Sequence, residues 1–275
     1  MTSDAKKSID AGLFRMEKLE IKDVSSENID HLINLCIPME RSSDPQFIEA
    51  ANAKKKWAAE TLKQCRNIAK LAYLNSKPVG LIQYRLNLEE KVVEISCIFV
   101  PEKAYLRKGT GKSLFRAMME DVKKPQSLFK NEVPNALVTR AFGVPGRYPQ
   151  HEFYRRMGFR KVKEDDPFLL YYPLKKGYVY QPKEKEYIPR KDDKGKALIF
   201  YDPSCPFEIN FAYAVERLIR EVAPDIPIRR INKFEEPEEV KRRGQVPFCA
   251  VNGKAIQTFF MDKENFQKEV KHALS

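Results

Sequence analysis

Histidine is nearly absent from this chain. Its 275 residues include three, His31, His151 and His272, and they are scattered. No Cys/His pair has zinc-ligand spacing, so no metal site is expected. No Gly-x-Ser-x-Gly occurs, which removes the serine-hydrolase elbow. The five cysteines are odd in number and lack the spacing of a disulfide framework, as suits a reducing compartment. No stretch approaches the roughly 18 continuous apolar residues of a membrane span. The opening Met1-Thr2-Ser3-Asp4-Ala5-Lys6-Lys7 lacks the apolar core of a signal peptide. The expectation is a cytoplasmic protein with no membrane partner.

Basic residues outnumber acidic ones, 50 to 38, for a formal net charge of +12. Such an excess raises nucleic acid as a partner. Lysine and arginine are spread over every segment, however. Runs such as Lys54-Lys55-Lys56 and Lys241-Arg242-Arg243 adjoin helical patterns and read as solvated faces. With no RNA-binding aromatic signature present, nucleic acid is not the expected partner.

The segment Val92 to Gly111 is the most informative. An apolar β-branched run, Val92 to Val100, stops at Pro101 and is followed by a basic loop holding Gly109 and Gly111. Lys112 to Val122 then reads as an amphipathic helix, with Leu114, Met118 and Val122 four apart. Strand, glycine loop and helix present backbone N–H groups to an anion. Gly111-Lys112-Ser113 matches the end of a nucleoside-triphosphate loop. That motif needs a glycine five residues earlier, where Leu106 stands.

A second segment, His151 to Val162, reads as a short helix capped by Gly158 and a strand starting near Phe159. Together the two segments resemble the GNAT acetyltransferase family. The first resembles its strand ending in Val-x-Pro or similar, here Val100-Pro101, and its glycine loop. The second matches Phe-Tyr-x-x-x-Gly-Phe with Phe153, Tyr154, Gly158 and Phe159. Leu106 departs from the usual Arg or Gln, the loop from Pro101 to Gly109 is about two residues longer than usual, and Gly143 to Gln150 lacks the family's asparagine.

The flanking pattern fits an α/β domain. Strands are expected at Met16–Ile21, Ile68–Leu74, Pro78–Leu86, Ala136–Phe142 and Phe168–Leu174. Helices are expected from Ser25 to Cys36 and from Pro45 to Cys65. The resemblance implies a mixed central sheet flanked by helices, splayed between its fourth and fifth strands, with the pantetheine arm in the gap.

The resemblance also implies site residues. Acetyl-CoA is the donor, and the basic surface suits its phosphates. Ile98, Phe99 and Val100 would hold the pantetheine and polarise the thioester. Arg107, Lys108, Gly109, Thr110, Gly111, Lys112 and Ser113 would take the pyrophosphate. Tyr154 would protonate the departing thiolate, and Glu94 would serve as general base. His151 and Glu152 are alternative bases, although a capping or surface role suits them better. A small-molecule or peptide amine would be the acceptor, attacking directly in a ternary complex.

After a charged, proline-containing stretch at 176–196, the pattern restarts. Strand Ala197–Tyr201, a helix from Phe207 to Val222 and strand Ile226–Ile231 come first. A short helix from Pro237 to Arg243, strands Phe248–Val251 and Lys254–Thr258, and a helix from Asp262 to Ala273 complete it. This order, with Cys205-Pro206 after the first strand and Val246-Pro247 before the third, resembles the thioredoxin fold. There the second proline is cis, which the resemblance carries to Pro247. The pairing of halves resembles YoaP-like proteins. The expected organisation is an acetyltransferase domain (1–175), a linker (176–196) and a smaller thioredoxin-like domain (197–275). Cys205-Pro206-Phe207-Glu208 offers one sulfur and one carboxylate where a dithiol motif needs two sulfurs. Cys205 at a helix N-terminus is a possible thiol site, and Cys249, just past Pro247, could approach it. Two alternatives stay open, a non-catalytic acyl-CoA-binding scaffold and a thiol-handling protein centred on Cys205.

Overall fold

The computed structural model describes residues 19–65, 67–143, 148–183 and 186–275. The start of the expected first strand, at Met16, lies outside them. So does the middle of the Gly143 to Gln150 loop.

The first half alternates strands and helices. In order come β1 (Leu19–Asp23), α1 (Ile29–Asn34), α2 (Pro45–Gln64), β2 (Ala69–Leu74), β3 (Lys77–Asn87) and β4 (Val92–Phe99). Then come α3 (Thr110–Val122), β5 (Ala136–Arg140), α4 (Gln150–Arg156), β6 (Arg160–Lys163) and β7 (Asp166–Pro173). The strands form one seven-stranded sheet in the order β1-β2-β3-β4-β5-β7-β6. Every neighbouring pair is antiparallel except β4 and β5.

Period-two alternation sends side chains to both faces. Val93, Ile95 and Leu137 join α3 and α4 in one core, with Leu114, Met118, Tyr154 and Phe159. Leu71, Tyr73 and Leu81 point the other way, under Leu32, Trp57 and Ala58 of α1 and α2. Buried Lys70 ion-pairs with Asp23 at 2.5 Å and with Asp121, tying β1, β2 and α3 together.

The second half builds a four-stranded sheet, β11-β10-β8-β9. Its elements are β8 (Ala197–Tyr201), α5 (Pro206–Arg220), β9 (Ile228–Asn232), α6 (Pro237–Lys241), β10 (Cys249–Val251), β11 (Lys254–Ile256) and α7 (Lys263–Leu274). β8 and β9 are parallel, and β10 is antiparallel to β8. Three strands are shorter than expected, β10 by its first residue, and the other two for physical reasons. β9 starts after Pro227, which has no N–H to give the ladder. β11 stops at Ile256 because the Glu269 carboxylate takes the N–H groups of Gln257 and Thr258, each at 2.8 Å. The expected cis bond at Pro247 is corrected, since no peptide bond among the described residues is cis.

The stretch after β7 contacts both sheets. Tyr180 is buried against Val92, Ala136 and Tyr171, and its hydroxyl donates to Glu90 at 2.7 Å. Further on, Tyr187 bridges to Gly244. Asp193 receives two hydrogen bonds from Arg243, at 2.9 and 2.7 Å, and both side chains are 1% exposed. Burial alone would raise the Asp193 pKa; the Arg243 guanidinium and the Arg190 N–H outweigh it and hold the carboxyl below its ordinary value.

The two halves also meet directly along α2. Phe47 lies edge-on to Phe207 with centroids 5.6 Å apart, Asn210 donates to Gln46 at 2.7 Å, and Lys56 pairs with Glu235 at 2.5 Å. Lys54 corrects the expectation of a solvated basic run: it is 2% exposed, on the buried face of α2.

Removing one partner of a buried ion pair leaves an uncompensated charge. Arg243→Met is therefore expected to cost about 3–5 kcal/mol in urea denaturation. The depressed Asp193 pKa contributes stability that is present above the unfolded value and lost as pH falls through the folded one. Wild-type stability should drop below about pH 4, and Asp193→Asn should lack that component of the drop.

Candidate active site

The parallel pairing of β4 with β5 covers three positions, Val92 with Ala136, Val93 with Leu137 and Glu94 with Val138. Thr139 then donates its hydroxyl to the Ile95 carbonyl at 3.0 Å. At Ser96 the register against β3 slips by one, from Ile95 opposite Tyr84 to Cys97 opposite Gln83. An extra residue in one strand bends that strand and leaves ladder groups unpaired. Beyond the bulge the Gln150 side chain spans from β4 to the stretch after β5. Gln150 donates its amide to the Ile98 carbonyl at 3.3 Å and accepts from the Phe142 N–H at 3.3 Å. Ile98, Phe99 and Val100, all half-buried, form the β4 wall of this gap.

α3 begins beside the same end of β4. Gly109 is its N-cap at φ +83°, a left-handed conformation that glycine adopts without strain. The helix thus starts at Thr110, two residues before the expected Lys112, and directs the free N–H groups of its first turn into the loop. Gly111 packs close to Phe153 and Ile98; a Cβ there would meet the Phe153 ring at 3.4 Å. Arg107, Lys108 and Lys112 are exposed. None has a carboxylate partner among the described residues, so three cations and a helix N-terminus are available to one anion. Ser113 lies in the same first turn, its N–H donating to the Gly109 carbonyl at 2.9 Å.

Tyr154 lies on the α3–α4 side of the sheet and is 1% exposed. Burial pushes its phenol pKa well above the ordinary value, while a hydrogen bond with Thr139 works against the rise. The phenol keeps its proton across the physiological range. Glu94 faces the opposite side, between Val93 and Ile95. Arg85 donates to it at 2.6 Å and Asn87 at 2.7 Å. Arg85 also reaches Asp202 of the second half at 3.1 Å. His151 and Glu152 stay apart from Tyr154: His151 lies edge-on to Phe168, and Glu152 pairs with Arg155 at 3.1 Å.

Cys205 caps α5 without a side-chain hydrogen bond, and all five cysteines are free thiols. Burial and then Glu208 raise its pKa to about 11, so the helix N-terminus does not make it a thiolate at neutral pH. Cys249 is buried in the core of the second sheet, and burial raises its thiol to about 12.

Comparison with known proteins bears on the first half. Residues 31–159 match the acetyltransferase (GNAT) family. That match spans just under half of the chain. No curated protein matches the chain. Among solved structures, a PaiA N-acetyltransferase from Thermoplasma acidophilum in complex with coenzyme A is 16% identical, covering 57% of this chain and 99% of that one at a TM-score of 0.41. A GNAT family acetyltransferase from Brucella melitensis in complex with acetyl-CoA is 12% identical, covering 61% and 94% at 0.40. A longer chain from Pyrococcus horikoshii is 20% identical; this chain spans 43% of its length, with a TM-score of 0.38.

Three residues of the matched segment carry no local signal in the sequence. Gln150 follows Pro149 at the start of α4, and only the strand separation gives its amide a role. Arg85 sits on β3, where its pairing with Glu94 depends on register. Lys54 was hidden within a basic run.

Gly109→Val should strain the α3 cap by about 1–2 kcal/mol or more. The expected result is acetyl-CoA affinity about tenfold weaker or worse, with a melting midpoint lower by only a few degrees. Wild-type affinity in this variant would show that the phosphates bind away from α3.

Proposed function

We propose that this chain is an N-acetyltransferase that moves an acetyl group from acetyl-CoA to an amine by direct attack in a ternary complex. The observation that carries the proposal is the early parting of β4 and β5 beside the Gly109-capped N-terminus of α3. The pyrophosphate lies against the first turn of α3, among Arg107, Lys108 and Lys112, with Thr110, Gly111 and Ser113 in the same turn. The pantetheine runs along Ile98, Phe99 and Val100, where a ligand amide meets the carbonyl and N–H groups that Gln150 bridges. Backbone N–H groups of this stretch polarise the thioester carbonyl.

The amine approaches from the Glu94 face. A neutral amine attacks the carbonyl, Glu94 receives its proton through water, and Tyr154 protonates the departing thiolate. A phenol held neutral by burial is always loaded for that transfer. Coenzyme A and an acetamide are the products.

We assign residues 1–175 to the transferase, 176–196 to a linker and 197–275 to a thioredoxin-like, YoaP-like module. The β-α-β-α-β-β-α order of the second half supports that last reading. We place the protein in the cytoplasm and take its acceptor to be a small-molecule or peptide amine. One observation favours a second reading: both Glu94 oxygens are engaged, by Arg85 and Asn87, as in an acyl-CoA-binding protein without a working base.

Isothermal titration should show acetyl-CoA binding and no ATP binding. Tyr154→Phe should retain that binding and lose about 10²–10⁴ in turnover, the usual size of a general-acid contribution. Binding with no transfer to any amine in a broad panel would favour the second reading. Absence of binding would remove both.

A further inference from the structure

Lys54 is the most unusual buried group in this protein. Its neighbours in sequence, Lys55 and Lys56, reach outward to Asp30 at 2.6 Å and Glu235 at 2.5 Å. Buried Lys70 has two carboxylates, Asp23 and Asp121. Lys54 is 2% exposed and has no carboxylate partner among the described residues. Its Nζ instead lies 3.1 Å from Cys36 Sγ. Cys36, which follows α1 and is 8% exposed, directs its thiol toward the Leu32 carbonyl at 3.6 Å. The sulfur thus turns its lone pairs to the Lys54 nitrogen. Burying an unpaired ammonium is costly, and a thiol offsets little of that cost.

We propose that Lys54 and Cys36 are a cross-linking pair, joined by a covalent nitrogen–sulfur bond when the protein meets hydrogen peroxide. Peroxide first converts the Cys36 thiol to sulfenic acid: a sulfur–oxygen bond forms, the O–O bond breaks, and one water leaves. The Lys54 amine then attacks that sulfur. The N–S bond forms as the S–O bond breaks, and the departing hydroxide takes a proton from nitrogen as a second water. One amine, one thiol and one peroxide give one sulfenamide and two waters, with sulfur oxidised and peroxide reduced.

The two groups already touch, so the condensation requires little rearrangement. Lys54 also lies within electrostatic reach of Cys97 on β4 and of Cys205 at the start of α5. These are the competing thiols, and a disulfide is the alternative product. A Cys36–Lys54 bond would fasten the end of α1 to α2 and close residues 37–53 into a covalent ring. Thiol reductants would reopen it. The device is independent of the acetyl-transfer reading.

The test is peptide mapping of the full chain after treatment with hydrogen peroxide, without reductant. The expected product is a pair of tryptic peptides joined through Cys36 and Lys54, lighter than their sum by two hydrogens. Trypsin should fail to cut after Lys54, and dithiothreitol should restore the cut. Cys36→Ser, nearly isosteric, should keep the cut under peroxide. A disulfide from Cys36 to Cys97 or Cys205, or Cys36 recovered as sulfinic acid beside a free Lys54, would overturn the proposal. So would an unmodified Cys36 under conditions that oxidise other thiols of the chain.

Discussion

The first half is organised by a strand pairing that ends early. β4 and β5 are the parallel neighbours of the large sheet, and they stay together for three positions. Parallel neighbours need a crossover, and here it carries α3, whose N-terminus lies where the strands part. The Ser96 bulge turns β4 away from β5, so Ile98 and Phe99 continue the sheet against β3 alone. A full-length pairing would have covered the β4 edge at Ile98 and Phe99 with β5. The bulge also reverses the alternation of β4, which puts Cys97 rather than Ile98 on the α2 face.

Element order was readable from local signals. Pro101 ends β4, Gly158 at φ +95° ends α4, and the Leu114, Met118 and Val122 spacing marks α3. Phe153, Tyr154, Gly158 and Phe159 lie together as their motif implies, and Tyr154 packs against Phe159 with centroids 5.1 Å apart. What could not be read depends on partners far along the chain. The bulge shows only against β3, and Gln150 matters only once two strands have separated. Lys54 reads as one third of a basic run until helical phase turns it inward, in line with Phe47 seven residues earlier. The cis bond at Pro247 belonged to the resemblance, and the chain does not make it.

α2 serves both halves of the molecule. Trp57 and Ala58 cover the large sheet, while Gln46, Phe47 and Lys56 meet the second half. Asp202 reaches through Arg85 to the carboxylate on β4. A change in the second half can therefore be felt at Glu94 through two ion pairs, without passing through the core of the large sheet. This coupling is a property of contact geometry, and it gives the second half a physical route to the first whatever its own chemistry.

The Glu269 carboxylate, which ends β11, has a further consequence for assembly. A sheet edge with unpaired N–H groups is a template on which another chain can add. Occupying the donors of Gln257 and Thr258 with a side chain of α7 keeps that edge strand to three residues. The final helix thereby acts as a stopper against strand addition. Its grip depends on charge: burial would raise the Glu269 pKa, but the N–H groups it accepts hold it below the ordinary value. The stopper therefore stays ionised, and in place, well into mild acid.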